Sequence, residues 1–299
     1  MSASGLRAFQ LAKNAVYRGV GETSSLFSGS SEEDDRTLRV LTYHKVNDLW
    51  PNPITVPTRT FAQQMSLLPE LGYQPVSLEA VRDHYLAGAP LPRGAVLITF
   101  DDGYRDNLVN AAPVLLRHGY PAVIFVPIGF LEDDTPLPHE VALRGLGVRN
   151  GTIRWGDLVG LEASGIRIES HGVSHTRLSE LDDEEVTREL VVSKRRLEEW
   201  LGREVEAFAY IKGTSADFGP QHPGLVEEAG YKLAFTAIFG ANSPQSDRFQ
   251  LRRYSIEPFS ARSFELVLRG ACDVLALKDG ETGTRVRRAL MAAMGTPSR

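Results

Sequence analysis

The chain has 299 residues, of which 42% are hydrophobic and 24% are charged, and its formal net charge is −5. That much apolar sequence can bury one large core, so we expect one main domain and not two. The acidic balance argues against a nucleic-acid partner, and no apolar stretch is long enough to cross a membrane. The single cysteine, Cys272, cannot form an internal disulfide, which fits a reducing compartment.

Residues 1 to 37 are predicted to precede the main domain. Residues 1 to about 20 carry a short amphipathic helical pattern, and 21 to 37 are polar, acidic and rich in serine, as in flexible arms. This segment lacks the continuous apolar core of a secretory signal, so we expect a cytoplasmic protein. The main domain is predicted to cover residues 38 to 299 and to end in a helical tail.

Beyond residue 37, strand-like runs alternate with helical patterns. The strands are predicted at 38–46, 95–100, 121–127, 166–170, 206–210, 232–236 and 250–256. The helices are predicted near 59–71, 77–87, 106–118, 156–164, 182–202, 221–229 and 260–270. In the longest helix, Asp182 and Glu185 form a predicted capping box, and Gly202 marks its end. Such alternation implies parallel pairing, so we expect an α/β fold, a distorted barrel of about seven parallel strands.

The run AVLITFDDGYRDN, residues 95 to 107, places two adjacent carboxylates after an apolar strand. Neighbouring residues at a strand end point in different directions, so Asp101 and Asp102 can perform two tasks, one holding a metal and one moving a proton. The alternative is structural, because an aspartate ahead of a helix caps free backbone amides and interacts favourably with the helix dipole.

A second strand, in IRIESHGVSHTRL at residues 166 to 178, ends in two histidines. His171 and His175 are separated by three residues, and imidazoles at this spacing can share one ion. With Asp102 they supply two nitrogens and one carboxylate, the ligand set of a catalytic zinc that keeps an open position for water. The alternative is that the two histidines of such an HxxxH pair lie on a solvated face and bind no metal.

The motifs TFDDGY and SHGVSH, with TIRWGDLVGLEASG ahead of the second, resemble those of the polysaccharide deacetylases of the NodB-homology type, carbohydrate esterase family four. The resemblance extends over roughly residues 38 to 260. It implies that Asp101 is the general base and that Asp102, His171 and His175 hold one divalent metal. Zinc is the expected metal, with cobalt or nickel as alternatives.

Amide hydrolysis also needs a proton for the leaving nitrogen, and histidine is a natural donor. Most family members carry this histidine near the C-terminal end of the domain, but this chain has no histidine after His222. Its run RVLTYHKV, residues 39 to 46, instead resembles the Tyr-His motif of the circularly permuted branch that acts on poly-N-acetylglucosamine. The resemblance implies that His44 is the general acid. The alternative is a core histidine hydrogen-bonded to the backbone.

The chain departs from the family at FAYIKG, residues 208 to 213, where Ile211 replaces a proline and Lys212 a tyrosine. In the family, a backbone amide at that tyrosine helps the metal to hold the oxyanion, and Lys212 could still supply it. Its side chain could instead face an anionic group of the substrate or point to water. Without the φ restriction of proline, we expect a less predetermined loop.

Weaker candidates surround these motifs. Tyr104 is predicted to line the substrate pocket or to cover the strand end, and Trp155 to stack on a sugar ring or to anchor a helix. Glu169 either orients His171 or points away from it. The segment from Gly129 to Asn150 is predicted to form one wall of the substrate groove. The other histidines are expected to be surface or capping residues, namely His84, His118, His139 and His222.

We therefore expect a metal-dependent N-deacetylase that acts on N-acetylhexosamine units of a polysaccharide, a glycan precursor or a glycoconjugate and releases acetate. The altered FAYIKG motif leaves open an amidohydrolase for a small non-carbohydrate C–N bond. A glycan-binding protein with a decayed site is the third possibility, against which the intact acidic and histidine motifs argue. The expected partner is a carbohydrate, and the sequence leaves the oligomeric state open.

Overall fold

The computed structural model describes residues 3–25, 37–49, 54–132, 136–141 and 151–274. Most of the predicted arm, residues 26 to 36, and the predicted C-terminal helical tail beyond residue 274 lie outside the described residues. Among the described helices, none is both long and apolar enough to cross a membrane.

Short parallel strands build a central eight-stranded sheet and a separate two-stranded sheet. The strands are β1 (Arg39–Tyr43), β2 (Lys45–Val46), β3 (Thr55–Val56), β4 (Gln74–Pro75), β5 (Ala95–Phe100), β6 (Ala122–Val126), β7 (Ile166–Ser170), β8 (Ala207–Ala209), β9 (Leu233–Phe235) and β10 (Tyr254–Ser255). Seven of them follow the order β10-β1-β5-β6-β7-β8-β9, while β4 pairs with β5, and β2 with β3. A parallel bridge between Phe235 and Leu251 links the segment before β10 to β9. The predicted α/β fold, a distorted barrel of about seven parallel strands, is confirmed: the seven strands curl into a half-barrel.

Helices cover the outer face of the sheet. They are α1 (Ala3–Ser25), α2 (Thr58–Glu70), α3 (Leu78–Ala87), α4 (Ala112–His118), α5 (Trp155–Ala163), α6 (Asp183–Leu201), α7 (His222–Glu228) and α8 (Ala261–Leu268). The helix predicted at 106–118 is divided, because residues Asn107–Ala111 form a π-helical turn ahead of α4. The capping box of Asp182 and Glu185 opens α6 as predicted, and Gly202 ends it with a positive φ of 68°.

The side chains of β5 show how the sheet divides the core. Val96, Ile98 and Phe100 pack in the large hydrophobic cluster that includes the helices. Ala95 and Leu97 belong to a smaller cluster, which lies on the opposite face because successive side chains of a strand alternate. Both faces are buried, which explains why the strands read as continuous apolar runs.

Helix α1 packs against the domain. The ring of Tyr17 is buried, and its centroid lies 4.9 Å from that of Phe259 and 6.1 Å from that of Phe239. The side chain of Asn14 donates to the carbonyl of Pro258 at 3.1 Å and accepts from the amide of Ser260 at 3.1 Å. The helix continues to Ser25, so residues 21 to 25, which we expected in the flexible arm, are helical.

Candidate active site

The predicted site residues follow the carboxyl ends of neighbouring strands. His44 comes directly after β1, Asp101 and Asp102 after β5, and His171 after β7. Lys212 follows β8 by a short turn. Because β1, β5, β7 and β8 belong to one parallel sheet, these residues share one edge of the barrel, which is where such folds place their chemistry.

Three of these side chains converge on one point. The Oδ1 atom of Asp102 lies 2.8 Å from Nε2 of His175 and 3.5 Å from Nε2 of His171. One ligand atom from each of the three residues can be chosen so that all lie within 4.8 Å of one another. Nδ1 of His171 donates to the carbonyl of Ala209 at 2.8 Å, which leaves its Nε2 lone pair directed at the cluster. Two imidazoles and a carboxylate in this arrangement fit a zinc-like divalent cation.

The charges of the cluster agree with this fit. Burial alone would raise the pKa of Asp102, but the nearby His175 and His171 imidazoles more than offset it and hold that pKa well below its usual range. Burial likewise acts to lower the pKa of His171, but the hydrogen bond to Asp102 and the charge of Asp101 raise it overall. The Asp102 carboxylate is therefore ionised, and the imidazoles of His171 and His175 compensate its negative charge. A bound cation would compensate the same charge.

Backbone strain is concentrated at the same place. Among the described residues other than glycine, those with positive φ are Asp102 at 71°, His175 at 58° and Lys212 at 57°. A left-handed conformation costs a non-glycine residue on the order of 1–3 kcal/mol, and such strain collects at functional sites. All three residues had been selected from the sequence as metal ligands or oxyanion contacts.

Asp101 is held by a buried arginine that the sequence analysis missed. Arg253 donates to both carboxylate oxygens of Asp101 at 2.7 Å. It also donates to the carbonyl of Thr236 at 2.7 Å and to the hydroxyl of Thr42 at 2.9 Å. Burial acts to raise the pKa of Asp101, but Arg253 lowers it overall, so the carboxylate stays ionised. The signal in the sequence is a charged residue in a strand-like run, which needs a buried partner.

His44 lies near both aspartates. Burial lowers the pKa of its imidazole, and the charges of Asp102 and Asp101 oppose that change. Within the described residues, the ring makes no hydrogen bond to the backbone, and only the His44 carbonyl is engaged, by Asn107 at 2.7 Å. The alternative of a core histidine bonded to the backbone therefore has no support.

Backbone hydrogen bonds hold the turn at Lys212, where Ile211 stands in place of a proline. Ile211 is buried and its carbonyl accepts from the amide of Gly213 at 2.7 Å. The carbonyl of Gly213 accepts from Ala237 at 2.8 Å, which ties the turn to the chain after β9. The side chain of Lys212 is exposed, and no acceptor in the described part of the chain lies against its backbone N–H.

Tyr104 does not have a surface free for substrate. The residue is 1% exposed, and its hydroxyl lies 2.7 Å from Nε2 of His139 and 3.3 Å from Oε1 of Glu140. This packing fits the alternative that Tyr104 covers the strand end. His139 is exposed, as expected, but it has neighbours in the site: its Nε2 lies 3.6 Å from Oδ2 of Asp102.

Trp155 begins α5 and packs against α6. The centroid of its ring lies 5.3 Å from that of Trp200, and the guanidinium of Arg196 lies over the ring at 5.4 Å. Only 8% of the residue is exposed. The predicted stacking on a sugar has no support in this packing, which instead fits the alternative of a helix anchor.

Glu169 makes its hydrogen bonds to groups other than His171. One of its oxygens accepts from the amides of Glu206 and Ala207, both at 2.8 Å, and the other from Arg203 at 3.0 Å. The second alternative for Glu169 is therefore the one observed. Burial raises the pKa of this carboxyl from 4.5 to about 7, although Arg203 opposes the change.

The pH dependence of stability follows from the raised pKa of Glu169. Between pH 4.5 and about 7 the folded chain holds a proton that the unfolded chain has lost. The free energy of unfolding should therefore fall as the pH rises through this window, by up to about 1.4 kcal/mol per unit, and level off above it. Denaturant titrations of the protein and of a Glu169→Gln variant measure the difference. Parallel pH profiles for the two proteins would contradict the assignment.

A sequence model of the polysaccharide deacetylase family matches residues 88–234. The Bacillus subtilis protein YxkH is 27% identical over 226 residues, which are 76% of this chain and 74% of YxkH. The poly-beta-1,6-N-acetyl-D-glucosamine N-deacetylase of Escherichia coli is 38% identical over 103 residues, which are 34% of this chain but only 15% of that enzyme.

Solved structures share the fold. Streptococcus pyogenes deacetylase PplD, in complex with acetate, has a TM-score of 0.66 and 22% identity, covering 77% of this chain and 96% of PplD. IcaB from Ammonifex degensii also has a TM-score of 0.66, with 24% identity, covering 79% of this chain and 97% of IcaB. The solved structures show a shared fold, and the family match, with the motifs at the strand ends, shows that residues 88–234 belong to a polysaccharide deacetylase domain of the NodB-homology type.

Proposed function

We propose that this domain is a metal-dependent N-deacetylase that hydrolyses the acetamido group of N-acetylhexosamine units in a polysaccharide, a glycan precursor or a glycoconjugate. The observation that carries the proposal is the convergence of Asp102, His171 and His175 beside a second, separately held carboxylate, Asp101. Deacetylation needs a metal site with an open position and a nearby base, and this edge of the barrel offers both. The similarity to the Escherichia coli enzyme supports an amino-sugar substrate.

The residues that would bind the metal differ from the residue that acts as the base. A divalent cation bound by Asp102, His171 and His175 would polarise the amide carbonyl and make a water molecule more acidic. Asp101 accepts the proton of the attacking water, because Arg253 keeps its carboxylate ionised and fixed in direction. A carboxylate that binds the metal has its negative charge neutralised there and is a weaker base, which explains the need for two adjacent aspartates.

His44 and Lys212 complete the reaction. The imidazole of His44 donates a proton to the departing nitrogen; burial lowers its pKa, and the charges of Asp102 and Asp101 oppose that change and favour the protonated form. The backbone N–H of Lys212 lies in a turn at the same edge and donates to the oxygen that becomes negative. The products are acetate and a free amino sugar.

Acetate release tests the proposal. The protein, freed of metal and then supplied with zinc, cobalt or nickel, is incubated with β-1,6-linked and β-1,4-linked N-acetylglucosamine oligomers and with small acylated amines. We expect metal-dependent acetate release from the oligomers that exceeds release from the small amides by at least tenfold. Equal or greater turnover of the small amides would favour the non-carbohydrate amidohydrolase, and binding of oligomers without any hydrolysis would favour a glycan-binding protein.

A Lys212→Gly variant separates the backbone of this residue from its side chain. Glycine keeps the N–H and adopts a φ near the observed 57° without strain. We therefore expect acetate release from neutral oligomers within about threefold of the unaltered protein, and a gain in stability of up to about 1 kcal/mol. A loss of activity limited to anionic substrates would show instead that the ammonium group binds substrate.

A further inference from the structure

His139 is an exposed residue beside the cluster of Asp102, His171 and His175. It lies on the 3₁₀ turn Pro138–Glu140, in the segment that follows β6. Its ring centroid is 5.3 Å from that of His175, and its Nε2 is 2.7 Å from the hydroxyl of Tyr104 and 3.6 Å from Oδ2 of Asp102. The His139 side chain is 36% exposed, whereas that of Asp102 is 3% exposed. The segment thus contributes one histidine to the surroundings of the predicted metal.

A buried ion pair fixes the turn that carries His139. The ammonium of Lys45 and the carboxylate of Glu140 are paired, and both side chains are buried. Lys45 also lies 4.8 Å from the centre of the Tyr104 ring, and the Tyr104 hydroxyl lies 3.3 Å from Glu140. Burying two charges requires desolvation that the pair only just repays, so such a pair is better explained by positioning than by stability.

The two oxygens of Asp102 face different neighbours. Oδ1 is turned toward the Nε2 atoms of His171 and His175, whereas Oδ2 is the oxygen nearest to His139. A ligating carboxylate keeps its orientation only if its other oxygen is also held, and such outer partners influence metal affinity. The Tyr104 hydroxyl hydrogen-bonds to the Asp102 carboxylate, and His139 Nε2 lies 3.6 Å from Oδ2, so these two groups are the neighbours that can fix its orientation.

We propose that His139 is a positioning residue for Asp102. Its Nε2 bonds to the Tyr104 hydroxyl at 2.7 Å and, through that hydroxyl, holds the Asp102 carboxylate so that Oδ1 stays directed at the metal position. The residues Lys45 and Glu140 fix the turn, and Tyr104 and His139 transmit that position to the ligand. The inference rests on the metal site and not on the identity of the substrate.

The two ring nitrogens of His139 can be tested separately. The side-chain amide of glutamine reaches about as far as Nε2 of histidine, and that of asparagine about as far as Nδ1. If Nε2 is the nitrogen that holds Asp102, His139→Gln keeps the zinc affinity and His139→Asn loses it. If Nδ1 is the nitrogen that acts on the metal site, the order is reversed.

The measurement is zinc affinity of the full chain, obtained by competition with a chromophoric chelator in the absence of substrate. We expect His139→Ala and His139→Asn to weaken zinc binding by about 10- to 100-fold and His139→Gln to remain within about threefold of the unaltered protein. His118→Ala is the matched control, because His118 is an exposed histidine on α4. The melting temperature of each metal-free variant should equal that of the metal-free unaltered protein.

Unchanged zinc affinity in His139→Ala would overturn the proposal, as would retention of affinity by the asparagine variant but not by the glutamine variant. Failure of the deacetylation proposal gives a different pattern. The unaltered protein would then bind zinc, and the His139 variants would show the same changes in zinc affinity, but no acetate would be released from any oligomer.

Discussion

Replacing Asp101 by asparagine is expected to lower kcat for acetate release by about a hundredfold or more, in line with the usual contribution of a general base. Asparagine keeps the shape of the side chain and an oxygen for Arg253, but it cannot accept the proton of water. Because Asp101 is held by Arg253 and not by the histidines, zinc content should stay unchanged. Steady-state kinetics and metal analysis of the same preparation measure both quantities.

The matched control for Asp101→Asn is Asp102→Asn, one position further along the chain. Asp102 contacts both histidines, so its loss should remove the metal and the activity together. The assignment of roles would be wrong if Asp101→Asn lost zinc, or if Asp102→Asn kept zinc and lost only activity.

Replacing Arg253 by methionine is expected to lower the free energy of unfolding by about 3–5 kcal/mol, because it leaves a buried carboxylate without its counter-ion. Arg253 is 1% exposed and donates to Asp101, Thr42 and Thr236. Chemical denaturation at neutral pH measures the loss. The activity of the fraction that folds should also fall, because Asp101 loses its fixed direction.

A double variant separates the ion pair from the packing around it. Replacing both partners of a buried pair with apolar residues is often neutral, so Asp101→Leu combined with Arg253→Met should be more stable than Arg253→Met alone while remaining inactive. Additive losses of stability in the double variant would show that the arginine stabilises the fold through its other contacts and not through Asp101.

The sequence predicted the regular elements well because the parallel strands are buried on both faces. The strands at 95–100 and 166–170 have the predicted bounds, since the first is a short apolar run closed by Asp101 and the second places isoleucines at alternate positions before a polar loop. The two-residue strands β3 and β4 were missed, because a pair of residues has no periodicity to detect. The π-helical turn before α4 was missed for a similar reason, since it interrupts a pattern that reads as one helix.

The site was predictable where its residues lie in contiguous motifs. Asp102, His171 and His175 come from two motifs at strand ends, and the parallel sheet brings them together as their ligand geometry requires. Arg253 was not found because its partner is 152 residues away in the sequence, and only the closure of the sheet places β10 beside β1. His139 was not found because its position depends on an ion pair between residues 95 positions apart.

Metal content tests the account most directly. The purified chain, saturated with zinc and dialysed, should contain about one zinc per chain by elemental analysis, as expected for a single site with three protein ligands. Asp102→Ala and His171→Ala should each retain little or no zinc under the same conditions, while His118→Ala retains the full amount. Full zinc content in both ligand variants, or none in the unaltered protein, would contradict a metal centre built from Asp102, His171 and His175.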